Sequence, residues 1–332
     1  MYEPGVVYDT VSGTVDRAFL FAPNHRKDNP LLRFDCHPNA LSPDNLIIPE
    51  PSIINIVGSS IGRALKENPI DIHWFEQNIS HQHPGFSADR DNIGNIPGFF
   101  RHTNSLIARG VNKTWEREGP VYTGRYRISA CQSDPSAEKK LLYAVTNTVK
   151  DGLVSSTKQS PFFSTFNHLT RGDPLRFWWI DWAGYWKAGG SESKKHHPKE
   201  YLKWVDWELT PLPHLSDLSP HQRQTRIRKL VREEEQHQET LMRETNRTVI
   251  GVKALFETDP RDRPKTPRIS GRQPLCHAED IETQKAYEEK WCEFLKEHRK
   301  ASFDFRNGNR DREFPEGSFR PPIIRIITED GT

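Results

Sequence analysis

Two histidines one residue apart, His81 and His83, and a tyrosine about sixty residues later, Tyr143, are the side chains of this 332-residue chain whose types and spacing could do chemistry together. On a β-strand, side chains alternate with a period of two, so His81 and His83 leave the same face and can ligate one metal ion. With one oxygen donor added, two imidazoles would hold a divalent cation and leave positions open for a phosphate. Such a cation polarises a phosphodiester and neutralises charge building on its oxygens. A tyrosine nearby can then attack phosphorus, provided a metal or lysine field favours phenolate, since a free phenol ionises at about pH 10. The product, a phosphotyrosine link, keeps the energy of the broken bond for rejoining. This is the chemistry of cutting and resealing single-stranded DNA. The plainer alternative is a histidine pair on the surface of an edge strand and a tyrosine at an interface, ring inward and hydroxyl wet.

The elements that must position these residues follow from the pattern around them. Gly5–Thr10 and Thr14–Phe21 are β-branched and aromatic and predict one long or broken strand; Ala22–Glu50, rich in Pro, Asn and Asp, predicts a loop. Ile54, Val57, Ile61, Ala64 and Leu65 recur at helical spacing from Pro51 to Asn68-Pro69, and Ile70–Phe75 is a strand leading directly into the histidine pair. A second helix is expected over Pro97–Glu116, with Phe100, Leu106, Ile107 and Val111 toward the sheet, then a turn and strand over Gly119–Ile128. The third helix runs from an N-cap at Asp134, through Pro135, to Gly152. At 100° per residue Leu141, Leu142, Val145 and Val149 share its buried face. Tyr143 and Asn147 share the opposite one, with Lys139, Lys140 and Lys150 near them. The order predicts an α+β fold with helices on one face of the sheet.

Beyond residue 160 the character changes. Phe177–Trp186 concentrates tryptophan; it is either core or seam against the sheet, or a platform for unpaired bases. Ser219–Thr245 predicts a long polar helix with sparse apolar positions Ile227, Leu230, Val231 and Leu241, and Ala278–Lys300 a further helix. The division expected is a domain over 1–160 and a helical and irregular C-terminal extension over 161–332 that helps grip DNA.

Hydrophobic residues make up 34% of the chain and prolines number 25, so parts of it carry little core of their own. Cys36, Cys131, Cys276 and Cys292 show no C-x-x-C spacing, which argues against a disulfide framework and a structural zinc site and suits a cytoplasmic setting. No stretch has the length and apolarity to span a bilayer. With 47 basic against 45 acidic residues the net charge is +2, so any DNA contact must come from local patches such as Arg125, Arg127, Lys139 and Lys150. No phosphate-binding G-x-x-x-x-G-K-[ST] loop is present.

His81-Gln82-His83 resembles the HUH motif of single-tyrosine transposases. Leu142–Val154, with its tyrosine, asparagine four residues on, and Gly152-Leu153-Val154, is similar to the helix that bears that family's nucleophile. Gly119–Tyr126 resembles the intervening strand region, and the likeness over Val6–Val154 is greatest to REP-associated tyrosine transposases. The resemblance implies a ferredoxin-like antiparallel sheet of the HUH endonuclease type and Tyr143 as nucleophile. It further implies Mg or Mn held by His81, His83 and Asn147, and single-stranded or hairpin DNA as partner, for a monomer or homodimer. Three departures stand out: Gln82 replaces a hydrophobic residue, Thr148 stands where proline is common, and Pro84-Gly85 predicts a shortened or bent histidine strand. The altered surroundings of the histidine pair, together with the small net charge, motivate a second expectation, a domesticated hairpin-binding protein that has lost the cutting step.

Overall fold

A computed structural model describes residues 1–23, 52–190, 197–265 and 274–321. Its first half runs β1 (Tyr8–Gly13), α1 (Ile53–Glu67), β2 (Asp71–Gln77), β3 (His81–Ser87), α2 (Ile96–Thr114), β4 (Arg127–Cys131), α3 (Asp134–Val145) and α4 (Asn147–Lys150). The second half adds α5 (Phe166–Arg171), β5 (Leu175–Ile180), α6 (Trp182–Lys187), β6 (Leu202–Trp207), α7 (Pro220–Glu244), α8 (Val252–Phe256), β7 (Cys276–His277) and α9 (Ile281–Arg306). Five strands form one sheet in the order β2-β3-β1-β4-β7, and β5 and β6 pair as a separate antiparallel hairpin. Because β7 joins β4 in parallel, the main sheet is mixed where an antiparallel one was expected.

Helices cover both faces, which corrects the expectation of one. On one side Ile56, Val57 and Ile61 of α1 and Phe99, Phe100 and Ile107 of α2 pack with Tyr8, Ile72, Phe86 and Ala130. On the other, Ala137, Leu141, Ala144 and Val145 of α3 pack on Val7, Trp74 and Cys131, backed by Ile227 and Val231 of α7. The apolar stripe of α3 has to be buried somewhere, and the second sheet face is what receives it. Truncating a fully buried member such as Leu141 to alanine would cost about 2–5 kcal/mol.

β3 lies between β2 and β1, so the histidine pair is on an interior strand and not on an edge. It also runs unbroken through Pro84-Gly85, against expectation. Proline has no N–H to give a ladder; here the Thr10 hydroxyl donates to the Pro84 carbonyl at 3.0 Å, between the regular pairs Asp9–Gly85 and Ser12–Gln82. Gly85 faces the Trp74 indole, where a Cβ would collide with the ring. The β2–β3 register shifts by one residue between Ile72 and Trp74, absorbing the irregularity on the neighbouring strand.

Other boundaries differ locally. Thr14–Phe21 is not a strand: Thr14 bridges to Tyr122 and Val15–Arg17 makes a 3₁₀ turn with positive φ at Asp16 and Arg17. The N-cap of α3 is Ser133, one residue before Asp134, because Ser133 and Ser136 form a reciprocal capping box. The expected continuous helix to Gly152 breaks at Thr146, whose hydroxyl donates to the Leu142 carbonyl at 2.8 Å, and resumes as α4 before Gly152 ends it at φ +73°. The predicted loop over 22–50 lies mostly outside the described residues.

Later segments pair with β2 and β4. Gln77 N–H donates to Phe163 O at 2.9 Å along β2, and Ala130 N–H to Leu275 O at 3.1 Å along β4. With β2 partly covered and the other edge reduced to the two-residue β7, little template for strand-to-strand aggregation remains. Among the described residues no helix is long and apolar enough to cross a membrane, and Cys131, Cys276 and Cys292 are free thiols.

Candidate metal and nucleophile site

The two imidazoles leave β3 on the face covered by α3, with ring centroids 4.9 Å apart. Sixty-six residues later Asn147, first residue of α4, brings its Oδ1 to 3.1 Å from His81 Nε2. Adjacent ligands on an octahedron with bonds of about 2.1 Å stand ~3.0 Å apart, so this separation fits two donors to one Mg or Mn ion. The orientation of the Asn147 amide follows from its neighbours. Ile79 N–H can only donate, and it donates to Asn78 Oδ1 at 2.6 Å. Asn78 Nδ2 therefore points the other way, donating to Asn147 Oδ1 at 2.6 Å and toward Asp151 Oδ2 at 3.3 Å. Oxygen, not nitrogen, thus faces the histidine.

His83 is buried, and neither of its ring nitrogens has a hydrogen-bond partner. Two orphaned polar atoms in a protein interior are costly, and a metal on one of them is a chemically suitable remedy. Burial is the main cause that lowers both histidine pKa values. For His81 it is partly opposed by Asp151 and the Asn147 contact; for His83, held well below the ordinary value, His81 and the Lys140 ammonium add to it. Both rings are therefore neutral at pH 7 and keep a lone pair for coordination. Among the described residues no three His, Cys, Asp or Glu side chains cluster as a metal site; a cation at the histidine pair would have the Asn147 amide oxygen as its nearest further donor.

Tyr143, on α3, meets His83 edge to face, centroids 5.6 Å apart at 83°. Lys150 Nζ lies 4.4 Å and Lys140 Nζ 5.1 Å from the centre of its ring. Both ammonium groups thus stand over the ring as cations against its π face. Tyr143 and Asn147, four residues apart and so neighbours on one helical side, both reach the β3 face, one from the end of α3 and the other from the start of α4.

Of the remaining residues singled out in the sequence, Arg127 is exposed on β4 and pairs with Val11, which the register sets beside His83; it shares the histidine face, roughly 10 Å away by two strand spacings. Arg125 is exposed just before that strand, and Lys139 is exposed on α3, its place beside the tyrosine taken by Lys140. Asn78 and Asp151 stand at the site without having been singled out, and Lys140, expected near the tyrosine face, lies beside the ring. The signals were faint: Lys140 is three residues before Tyr143 and Asp151 four after Asn147, both helical neighbour spacings.

No family model matches the chain, and no curated protein matches it. Among solved structures it is similar to one described as a REP-associated tyrosine transposase bound to a REP hairpin. The identity is 15%, over 53% of this chain and 86% of that one, with a TM-score of 0.36. That likeness is distant.

Proposed function

We propose that the chain is a metal-dependent enzyme that nicks and joins single-stranded DNA through a tyrosine nucleophile, acting on hairpin DNA as a transposase. The observation that carries this reading is the meeting of His81, His83, Asn147 and Tyr143 around one buried point, with the His83 nitrogens left unpartnered. The strand order β2-β3-β1-β4, with α1 and α2 as crossovers, supports a ferredoxin-like sheet of the HUH type. We read 1–160 as the catalytic part and the residues after it as the part that braces the sheet and helps hold DNA.

His81, His83 and Asn147 would hold Mg or Mn, which when bound supplies Lewis-acid polarisation of the scissile phosphate. Tyr143 Oη, its proton released to water and its negative charge favoured by Lys140 and Lys150, attacks phosphorus. The Oη–P bond forms as the P–O3′ bond breaks, and the leaving 3′ oxygen takes a proton from water. A 3′-hydroxyl attacking the 5′-phosphotyrosine in the reverse sense rejoins the strand and frees Tyr143. Arg125 and Arg127, exposed on and before β4, would contact flanking phosphates.

Incubation with a library of single-stranded hairpins and Mn should give a covalent protein–DNA adduct that survives denaturing electrophoresis and is absent in Tyr143→Phe. A wild type that yields no adduct across the library overturns catalysis. One observation favours a second reading, a hairpin-binding protein that no longer cuts: Asn147 Oδ1 already accepts from Asn78 and faces His81, a closure that satisfies both without metal. Hairpin affinity indifferent to EDTA, with no adduct, selects that reading.

A further inference from the structure

The tryptophan-rich run is divided between core and surface. Phe177, Val205 and Trp207 press onto α1 at Gly58 and Gly62, where a Cβ would collide with them, and Trp207 Nε1 donates to Gly58 O at 3.0 Å. The Asn55 side chain brackets the Trp178 backbone, donating to its carbonyl at 2.7 Å and accepting from its N–H at 3.1 Å. The hairpin is thereby fixed to α1, on the side of the sheet away from His81 and His83.

What this rigid attachment presents outward is a set of indoles among cations. The Arg63 guanidinium lies 3.8 Å from the centre of the Trp179 ring, and Lys113 Nζ lies 4.3 Å from that of Trp182. Trp186 is 59% exposed. Gly190 packs against its ring, where a Cβ would collide, and Tyr185 meets it at 5.0 Å and 64°, so the ring is braced while more than half of the side chain stays exposed. Charge is crowded as well: burial and the neighbouring Arg109 hold Arg63 below its ordinary pKa, with Asp181 and Glu67 opposing. Those two carboxylates are engaged elsewhere, Asp181 with Lys203 at 2.6 Å and Glu67 with His102 at 3.1 Å.

We propose that α1, α2, α6 and the β5–β6 hairpin form a docking surface for an unpaired DNA strand, its phosphates on Arg63, Arg109 and Lys113 and a base stacked on Trp186. The chemistry selects this partner. An acidic peptide would use the cations and leave the open indole idle, and a duplex offers phosphates but no free base face. The inference rests on the nicking reading only for the choice of DNA over RNA.

The test uses the full chain carrying Tyr143→Phe, in EDTA, with a fluorescein-labelled oligothymidylate followed by anisotropy across a salt series. Trp186→Ala weakens binding about tenfold and leaves the salt slope unchanged. Arg109→Ala with Lys113→Ala flattens the slope of log affinity against log salt by about 0.7 for each phosphate no longer neutralised. Lys285→Ala, exposed on α9, changes neither. Wild-type affinity in both Trp186→Ala and the Arg109/Lys113 double variant overturns the proposal, as does equal binding to duplex or tighter binding to oligouridylate. Since this background cannot form the adduct, a failure of nicking and a failure of this surface are read separately.

Discussion

His83 and Tyr143 meet edge to face with ring centroids 5.6 Å apart, the imidazole from an interior strand and the phenol from the helix that covers it. The arrangement leaves both His83 nitrogens without hydrogen-bond partners, so the pair is a poor solution for stability alone.

Replacing that imidazole should therefore have opposite effects with and without metal. In EDTA, His83→Leu is expected to be more stable than wild type by about 1–3 kcal/mol, since it removes orphaned polar atoms from the interior. In Mn, wild type should gain thermal stability and the variant should not. Equal Mn stabilisation of both proteins would exclude His83 as a ligand.

Asn78 donates to the Asn147 amide oxygen and toward Asp151 Oδ2, so it sets how that amide is turned. With Asn78→Ala, nothing dictates which end of the Asn147 amide faces His81. Removing a side chain that orients a metal ligand typically reduces metal affinity or activity about 10–100-fold. Titration calorimetry with Mn should show that reduction in Asn78→Ala and a smaller one in Asp151→Asn, with circular dichroism unchanged. Full Mn affinity in Asn78→Ala would assign it a purely structural part.

Lys140 and Lys150 flank the Tyr143 ring at 5.1 and 4.4 Å. Substituting either with methionine keeps the aliphatic stem and removes the charge. Adduct formation at neutral pH should slow about three- to tenfold for each, with the deficit shrinking at alkaline pH, where a phenolate forms unaided. A deficit constant across pH would mean the lysines hold DNA and do not activate the tyrosine.

Glu76 makes stability depend on pH. Burial raises its pKa from the ordinary 4.5 to about 8, against the opposing hydrogen bonds from Ser164 and Thr165. The folded state therefore binds the extra proton between these values, so this contribution is fully present below pH 4.5 and is lost as pH rises through about 8. The slope is about 1.4 kcal/mol per pH unit in that window. In urea titrations Glu76→Gln, which keeps the acceptor for Thr165 N–H (3.0 Å) and Oγ1 (2.8 Å), should flatten the fall between pH 6 and pH 8. Parallel pH profiles for the two proteins would move the cause elsewhere.

The sequence by itself determined the local units. Period-two spacing put His81 and His83 on one face, helical spacing put Tyr143 and Asn147 on one side of their segment, and the helices α1, α2 and α7 follow their apolar patterns to within a few residues, while α9 ends six residues beyond the expected Lys300. These features are set by neighbours in the chain, whose geometry a short window fixes. Only the tertiary structure decided that β3 is interior, that α3 covers the second sheet face, and that Lys140 and not Lys139 stands beside the tyrosine. It alone brought Asn78 to Asn147 and Thr165 to Glu76, and divided the tryptophans between α1 and solvent. Those outcomes depend on which apolar faces find each other across the whole chain. They also depend on where buried polar groups must then seek partners, and no local spacing encodes either.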